Sequence, residues 1–437
     1  MATPREDALA IWHAAVAAAD PFRRVREYLV APDSPAREAL AAGGGVYVFG
    51  GGKAGPAMAR GVESALRDSL DRVFGVLNVP AGDLPATERI HLWPARPAGS
   101  NHPTAEGVQG VEMQLALAEL LRPDDLALCL LSGGGSALLP APVEGVSLED
   151  KQELTRKLHA CGATIDEMNC VRKHLSRVKG GRLGETLAAS GCRVVSLLVS
   201  DVIGDPLDVI ASGPTAPDPT TFADALGVLR RHKLEEATPA AVLAHLRRGA
   251  AGEVAETPKS LPGRVSNVVL CNNATSLAAA RAEAEGRGYR VLNLGSCLDG
   301  ETRPVGEALA GVARGVRADG VPACVLSGGE TTVTLGPHHG KGGRNQEFVL
   351  ACWRKLGPGE NVVVLSGGTD GEDGPTDAAG AVADAQTWRK VGAMAPEEYL
   401  ERHDAYPFFE ATGDLIRTGL TGTNVMDVRV LLVPPSS

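Results

Sequence analysis

The segment LCLLSGGGSALLPAP, residues 128–142, contains an apolar run that ends in Leu131-Ser132-Gly133-Gly134. The same Leu-Ser-Gly-Gly sequence follows apolar runs at 326–329 and 365–368, and Gly50-Gly51-Gly52 follows the run VYVF. Glycines at the carboxyl ends of buried strands let backbone N–H groups approach an anion closely. Tight strand-to-helix turns explain any single copy equally well, but four clusters together favour a shared anion-binding cleft.

Short β-rich runs alternate with longer segments of helical periodicity through the first half of the chain. Strands are predicted at 46–49, 73–79, 126–131 and 193–200, and helices at 56–70, at 105–122 and from the capping signature Ser147-x-x-Asp150 onward. This alternation is typical of a parallel sheet that is covered by helices on both faces.

The alternation restarts after a charged, proline-containing stretch at 247–265. Later strands are predicted at 267–270, at 289–295, before Leu326 and Leu365, and at 427–433. Because single cores rarely grow beyond about 250 to 300 residues, a chain of 437 residues favours two domains. We predict an N-terminal α/β domain over 1–255 and a distinct C-terminal α/β domain over 256–437, with the first 40 or so residues assignable to either.

Composition excludes several classes of protein. The net charge of −10 provides no basic excess for nucleic acid or an anionic membrane surface, and no apolar run approaches the roughly 18 residues of a membrane span. The eight cysteines form no Cys-x-x-Cys pair, and the pair His338-His339 lies in a glycine-rich segment, where a solvated loop is favoured over metal ligation. We therefore predict a cytoplasmic protein without disulfides or zinc.

The loop VFGGGKAGPAMARG formally contains the dinucleotide fingerprint Gly50-x-Gly52-x-x-Gly55. Binding of NAD also requires an acidic residue at the end of the second strand, where VFGVLNV provides only Asn78. Lys53 instead places a cation near the start of a helix, where the helix dipole already favours negative charge. This loop therefore suits phosphate or carboxylate better than nicotinamide.

The segment CVRKHLSRVKGGRLGE, residues 170–185, concentrates cations in an acidic chain. Arg172, Ser176 and Lys179 are predicted on one helical face, with Gly180-Gly181 in the exit turn. A solvated charged face is one explanation of this pattern. The other is that some of these cations neutralise a polyphosphate.

Acidic residues follow the predicted strands in both halves. Asp201 and Asp205 come after the strand RVVSLLVS, and Asp370 lies in SGGTDGEDGPTDAAGAVAD. Carboxylates beside a phosphate site hold Mg²⁺ or accept a proton from an attacking hydroxyl, although turn formation also explains part of the pattern. The second segment lacks the ligand spacing of a calcium loop, so we do not predict an EF-hand.

These blocks together resemble the MOFRL-type glycerate kinases. The resemblance extends over nearly the whole chain through GGGKAGPAMA, NHPTAEG, LSGGGSALLPAP, NCVRKHLSRVKGGRL, SDVIGDPLDVIASGPT, GKGGRNQEFVLA, SGGTDGEDGPTDAAGAV and TGTNVMDV. It implies a Rossmann-like N-terminal domain, an active site in the interdomain cleft, and transfer of a phosphoryl group from ATP, with Mg²⁺, to D-glycerate. It also implies 2-phosphoglycerate as the product, and Lys53, Arg344 and Asp201 as catalytic residues. The residues after His102-Pro103 depart from the family pattern, which leaves the role of His102 open.

On this basis we predict a monomeric or homodimeric enzyme that binds only small molecules. The predicted metal ligands are Asp201, Asp205 and Asp370. The predicted nucleotide contacts are Gly51, Gly52, Ser132, Gly133, Gly134, Gly135, Ser136, Lys179, Ser212, Gly213, Thr215, Glu330, Asn345 and Thr369. The alternatives are an NAD(P)H-dependent hydroxypyruvate reductase and a non-catalytic protein that binds a sugar acid or phosphate.

Overall fold

A computed structural model describes residues 3–434 of the chain. Contacts between residues divide it into two units. The N-terminal unit contains Pro21–Ser200 and Asp205–Leu270, and the C-terminal unit contains the chain through Asp20, Asp201–Gly204 and the chain from Cys271 onward. The domain boundary at 255/256 stays a prediction.

The N-terminal unit is built on a six-stranded sheet in the order β3-β2-β1-β4-β5-β6. Its strands are β1 Val46–Gly51, β2 Val73–Pro80, β3 Ile90–Arg96, β4 Leu126–Leu131, β5 Arg193–Val199 and β6 Val265–Cys271. Strands β1 to β5 pair in parallel, as the alternation predicted. All six residues of β4 are buried, which is typical of a central parallel strand.

Ten helices accompany this sheet among the described residues. They are α2 Pro21–Val30, α3 Pro35–Ala41, α4 Gly55–Ala65, α5 Ala105–Ala118, α6 Gly135–Leu138, α7 Leu148–Ala160, α8 Ile165–His174, α9 Arg182–Ala188, α10 Phe222–Arg231 and α11 Ala240–Ala250. The predicted capping signature is confirmed, because the Ser147 side chain accepts from the Asp150 backbone N–H and the Asp150 carboxylate accepts from that of Ser147.

The predicted helical face of Arg172, Ser176 and Lys179 is wrong. Helix α8 ends at His174, before Ser176 and Lys179. The chain turns at Gly180 and Gly181, whose φ angles of 57° and 85° favour glycine, and α9 begins directly after them. The cations are nevertheless brought together by this turn, as described below.

The C-terminal unit contains a second sheet in the order β11-β10-β9-β12-β8-β7. Its strands are β7 Arg290–Asn293, β8 Ala323–Gly329, β9 Val363–Gly368, β10 Gly380–Ala383, β11 Leu415–Ile416 and β12 Asp427–Val433. Strand β7 is parallel to β8, whereas β12 runs antiparallel to both β8 and β9. The start of β12 therefore lies beside the ends of the two strands that carry Leu-Ser-Gly-Gly, with Asp427 opposite Gly329 and Gly368.

Seven helices belong to this unit among the described residues: α1 Pro4–Ala18, α12 Asn273–Gly286, α13 Thr302–Arg317, α14 Arg344–Leu356, α15 Ala385–Lys390, α16 Pro396–Glu401 and α17 Ala405–Thr412. Helix α1 packs on the second sheet, where Trp12 is fully buried and donates from Nε1 to the Gly367 carbonyl at 3.2 Å. A Cβ on Gly367 would lie 2.9 Å from this indole, so this glycine of the third motif serves packing. No helix within residues 3–434 combines the length and apolarity required to cross a bilayer.

Candidate active site

In the N-terminal unit, two glycine-rich loops are bonded to each other at the carboxyl ends of β1 and β4. The Lys53 backbone N–H donates to the Gly133 carbonyl at 2.9 Å, and the Ala54 N–H donates to Ser132 Oγ at 3.1 Å. A Cβ on Gly52 would lie 2.0 Å from Ser132 Oγ, so the loops approach this closely only with glycine at 52. The structure therefore brings together Gly52, Lys53 and the Ser132–Gly134 turn.

Arg96 at the end of β3 also belongs to this group and was not predicted from the sequence. Its side chain is buried, and Nε and Nη2 have no hydrogen-bond partner within residues 3–434. A Cβ placed on Gly134 would lie 2.9 Å from Arg96 Nη2 and 3.4 Å from Lys53 Cγ, and Gly134 itself has a φ of 78°. Burial lowers the pKa of Arg96 from its ordinary value. Two cations thus lie at one glycine turn, and one of them is buried without a partner.

Ser136 joins a second group of predicted contacts. Lys179 Nζ donates to the Ser136 carbonyl at 2.6 Å, and Arg172 Nη2 donates to Ser136 Oγ. Ser136 Oγ and Ser212 Oγ lie 2.8 Å apart, and Ser212 Oγ donates to Asn169 Oδ1. The structure therefore brings together Ser136, Lys179 and Ser212, which were predicted from three separate motifs.

The loop before and around Ser212 has an unusual backbone. Asp205, Ala211 and Ser212 adopt φ angles of 54°, 52° and 62°, which are costly for residues other than glycine and are concentrated at functional sites in proteins.

Thr215 has a different role, because its buried hydroxyl accepts from Ser196 and donates to Asn267 at 2.7 Å. Thr215 therefore ties β5 to β6, and its predicted contact with nucleotide stays a prediction.

In the C-terminal unit, Arg344 is held by two carboxylates at the start of α14. Its Nε and Nη2 donate to Asp427 at 2.7 and 3.0 Å, and Nη1 pairs with Glu330 at 2.8 Å. Asn345 Nδ2 donates to the same buried Asp427 at 2.9 Å. Although burial opposes the charge of Arg344, the nearby carboxylates hold its pKa above the ordinary value. Predicted Glu330 and Asn345 thus lie at Arg344, while Asp427 was not predicted as a site residue.

Asp373 fixes the start of the same helix. Its carboxylate accepts from the backbone N–H groups of Asn345 and Gln346 at 3.0 and 2.8 Å. Thr369, a predicted nucleotide contact, donates to the Met426 carbonyl and accepts from the Val425 N–H, so its hydroxyl stabilises the loop before β12. The acidic segment after β9 therefore contributes largely to positioning α14 and β12.

The burial of Asp373 makes a pH dependence testable. Burial raises the pKa of Asp373 to about 7, which exceeds its ordinary value of 3.8. Stability from this group is therefore complete below about pH 4 and is lost as pH rises through 7, by at most about 1.4 kcal/mol per pH unit. We expect the Tm of the wild type, minus that of Asp373→Asn, to decrease from pH 5 to pH 8. A difference that is constant across this range would contradict the raised pKa.

The metal roles of Asp201, Asp205 and Asp370 stay predictions. Across residues 3–434, no three or more His, Cys, Asp or Glu side chains are grouped to hold a metal ion. Asp201 and Asp370 lie near Glu330, whose pKa is raised by burial, lowered by Arg344 and raised further by these neighbouring carboxylates. Asp205 belongs to the N-terminal unit. Mg²⁺ commonly takes one or two carboxylates together with phosphate oxygens, so a site of fewer than three protein ligands is not tested by this absence.

Comparison with known proteins assigns the chain to a family. Residues 7–247 match a domain of unknown function, DUF4147, and residues 323–427 match the MOFRL family. The chain is 37% identical to glycerate 2-kinase of Pyrococcus horikoshii over 98% of its own length and 97% of that protein. The chain belongs to the MOFRL glycerate kinase family. The resemblance inferred from the sequence motifs is thereby confirmed.

Two further relatives of this glycerate kinase family member bear on fold and function. The crystal structure of glycerate kinase from Thermotoga maritima superposes with a TM-score of 0.86 and 36% identity, covering 98% of this chain and 99% of that one. A protein from Agrobacterium vitis, provisionally named a hydroxypyruvate reductase, is 40% identical over 97% of this chain and 93% of its own length. The predicted α/β fold is confirmed, and the name of the second relative keeps the reductase alternative relevant.

Proposed function

We propose that this chain transfers the γ-phosphoryl group of ATP to D-glycerate, giving 2-phosphoglycerate and ADP. The observation that carries the proposal is the pair Lys53 and Arg96 at the Gly134 turn, where a buried guanidinium has no partner within residues 3–434. An unpaired buried cation is costly, and the anionic substrate of a kinase offsets this cost. Membership of the glycerate kinase family supports glycerate as the acceptor.

Each group has a distinct proposed role. Arg96 binds the carboxylate of glycerate, and Lys53 stabilises the negative charge of the phosphoryl group during transfer. The Ser132–Ser136 loop and Lys179 contact the phosphates of ATP. Asp201 accepts the proton of the attacking hydroxyl while a new P–O bond forms and the bond to ADP breaks.

Arg344 is proposed as the second catalytic cation. A guanidinium has five N–H donors, and Arg344 directs three of them at Asp427 and Glu330, which fixes its orientation and leaves two for a phosphoryl oxygen. Lys53 and Arg344 belong to different units, and the cleft that would unite them stays a prediction. Mg²⁺ accompanying ATP would neutralise phosphate charge, with Asp201 and Asp370 as its proposed ligands, whereas the role of Asp205 stays a prediction.

The reductase alternative is weakened by Asn78 on β2. This residue occupies the region where an NAD-binding protein places an acid for the ribose hydroxyls. Its Nδ2 donates to the carbonyls of Gly107 and Leu138 at 2.9 and 2.7 Å, and its Oδ1 accepts from Gln114. Asn78 is fully buried and its amide is hydrogen-bonded inside the protein, so it is not placed to hold a ribose.

We further propose a cytoplasmic monomer or homodimer. The net charge of −10, which provides no basic excess for an anionic membrane surface, supports the proposed compartment.

A mixing assay tests the proposed reaction. We expect ADP to form only when ATP and D-glycerate are both present, and phosphorus NMR to detect the signal of 2-phosphoglycerate. NADH oxidation with hydroxypyruvate, without glycerate-dependent ADP formation, would instead support the reductase. Tight binding of glycerate or phosphate without either turnover would support a binding protein.

A further inference from the structure

A cavity in the N-terminal unit lies against the Ser132–Ser136 loop on the side of helix α7. Its volume is about 410 Å³, within the usual range of small-molecule sites. Its lining includes Ser136 and, among its cations, Lys151 from α7, Arg172 from α8, and Lys179 from the turn that follows α8. These three cations therefore come from α7 and from the segment 170–185 and converge on one space.

None of these three cations has a carboxylate partner within residues 3–434. Lys151 Nζ is buried and makes no hydrogen bond among these residues, and Lys179 is buried with its ammonium bonded to Ser136. Lys173, on the same helix as Arg172, shows the opposite arrangement. Its buried ammonium pairs with Asp208 at 3.0 Å and with Asp218 at 3.3 Å. The fold thus neutralises Lys173 internally and leaves the cations at the cavity without a counter-ion.

The titratable side chains that line the cavity with Lys151 are all basic. Burial, together with the positive charges of Arg172 and Arg177, lowers the pKa of Lys151 to about 7, and burial lowers that of Lys179. The other titratable side chains that line the cavity are also basic, namely His102, Arg156 and His159. No Asp or Glu is among the described residues that line this space. Such a site stores electrostatic repulsion that an entering anion relieves.

The number of cations indicates the class of anion. A small acid such as glycerate has one carboxylate and neutralises one cation, whereas a polyphosphate chain carries several adjacent negative oxygens that match several cations. We infer that this cavity binds the polyphosphate chain of a nucleoside triphosphate through Lys151, Arg172 and Lys179. This inference rests on the proposed function, because ATP would supply the chain, and it adds Lys151 and Arg172 to the predicted contacts.

Calorimetric titration of the full chain with inorganic tripolyphosphate, ATP and D-glycerate tests the inference. We expect Lys151→Met to weaken binding of tripolyphosphate and ATP by about tenfold or more and to leave glycerate binding unchanged. Lys157→Met is the matched control on the same helix, because Lys157 pairs with Glu153 and does not line the cavity. Lys179→Met should weaken tripolyphosphate binding in the same way. This second variant keeps the test valid if Lys151→Met does not fold.

Proton uptake gives a second readout. Near pH 8, Lys151 of the ligand-free protein is largely neutral, and a bound polyanion raises its pKa, so binding should take up a proton in the wild type. Titrations in two buffers with different ionisation enthalpies measure this uptake. Lys151→Arg should retain affinity but lose the uptake, because arginine remains charged at this pH.

The outcomes separate this inference from the proposed function. Unchanged tripolyphosphate affinity in Lys151→Met and Lys179→Met, together with normal glycerate-dependent ADP formation, would overturn the inference alone. Loss of tripolyphosphate binding in both variants would support it even if the wild type proved unable to phosphorylate glycerate. An equal loss in Lys157→Met would overturn the assignment to the cavity.

Discussion

Replacement of Lys53 by alanine is expected to lower kcat/KM for D-glycerate by about a hundredfold or more, with little change in Tm. The side chain of Lys53 is exposed and takes part in no ion pair within residues 3–434, so its removal should cost little stability. Its backbone N–H bond to Gly133 is retained in the variant. The expected loss therefore reports on the ammonium group, measured by steady-state kinetics and thermal melting.

Arg60→Ala is the matched control for Lys53→Ala. Arg60 is an exposed cation on α4, the helix that follows the Lys53 loop, and its guanidinium lies over the Phe22 ring. The control should keep kcat/KM near the wild-type value. If Lys53→Ala differed from the wild type by less than about threefold, Lys53 would have no role in stabilising the transition state.

Arg344→Lys is expected to lower kcat by about 10² to 10³. Lysine keeps the charge but cannot donate to both oxygens of Asp427 and to Glu330 in the geometry of a guanidinium. Alanine is a poorer test at this position. It would remove the positive charge that pairs with the buried Asp427 carboxylate and would cost about 3 kcal/mol or more of stability. A loss of activity could then reflect unfolding as well as a catalytic defect.

Arg354→Lys provides the control for this second variant. Arg354 lies on the same helix, α14, and its half-buried side chain pairs with the partly exposed Glu307 and the exposed Glu397. Its replacement by lysine keeps the charge and should leave kcat unchanged, because both pairs are remote in sequence from the start of the helix, where Arg344 lies. Equal kcat values for Arg344→Lys and the wild type would show that a single charge suffices at 344 and would contradict the proposed role of the oriented guanidinium.

Most strands of the N-terminal sheet could be predicted, because they are short apolar runs bounded by polar residues. Strand β4 begins and ends at the predicted residues 126–131. Strand β3 was not predicted, since IHLWPAR contains a proline and two basic side chains. Strand β12 was predicted at its observed residues 427–433, but its antiparallel direction was not, because strand direction depends on pairing between residues far apart in sequence.

The candidate site was harder to predict than the sheet. Glycine clusters marked the Lys53 and Ser132 loops, because close backbone approach requires glycine at specific positions. No glycine cluster adjoins Arg96 or Lys151 in the sequence to indicate a role in the site. Lys151 lies in DKQELTRKLH, which has the pattern of a solvated helix, and only the packing of other segments around it makes the ammonium buried. Burial of a single cation is a property of tertiary structure that local sequence does not encode.

The two faces of strand β12 differ at its start, where one face is charged and the other is apolar. Val428, Val430 and Leu432 enter the apolar layer beneath α1 and α12. The opposite face begins with the charged pair Asp427 and Arg429 and continues with Leu431 and Val433, which belong to a second apolar cluster. Gain or loss of a single residue before Asp427 would shift the phase of the strand and exchange the two faces. Asp427 and Arg429 would then point into the apolar layer beneath α1 and α12. The ion pair between Asp427 and Arg344 would be lost at the same time. Variation in the length of the preceding turn is therefore tolerable only where it preserves this alternation.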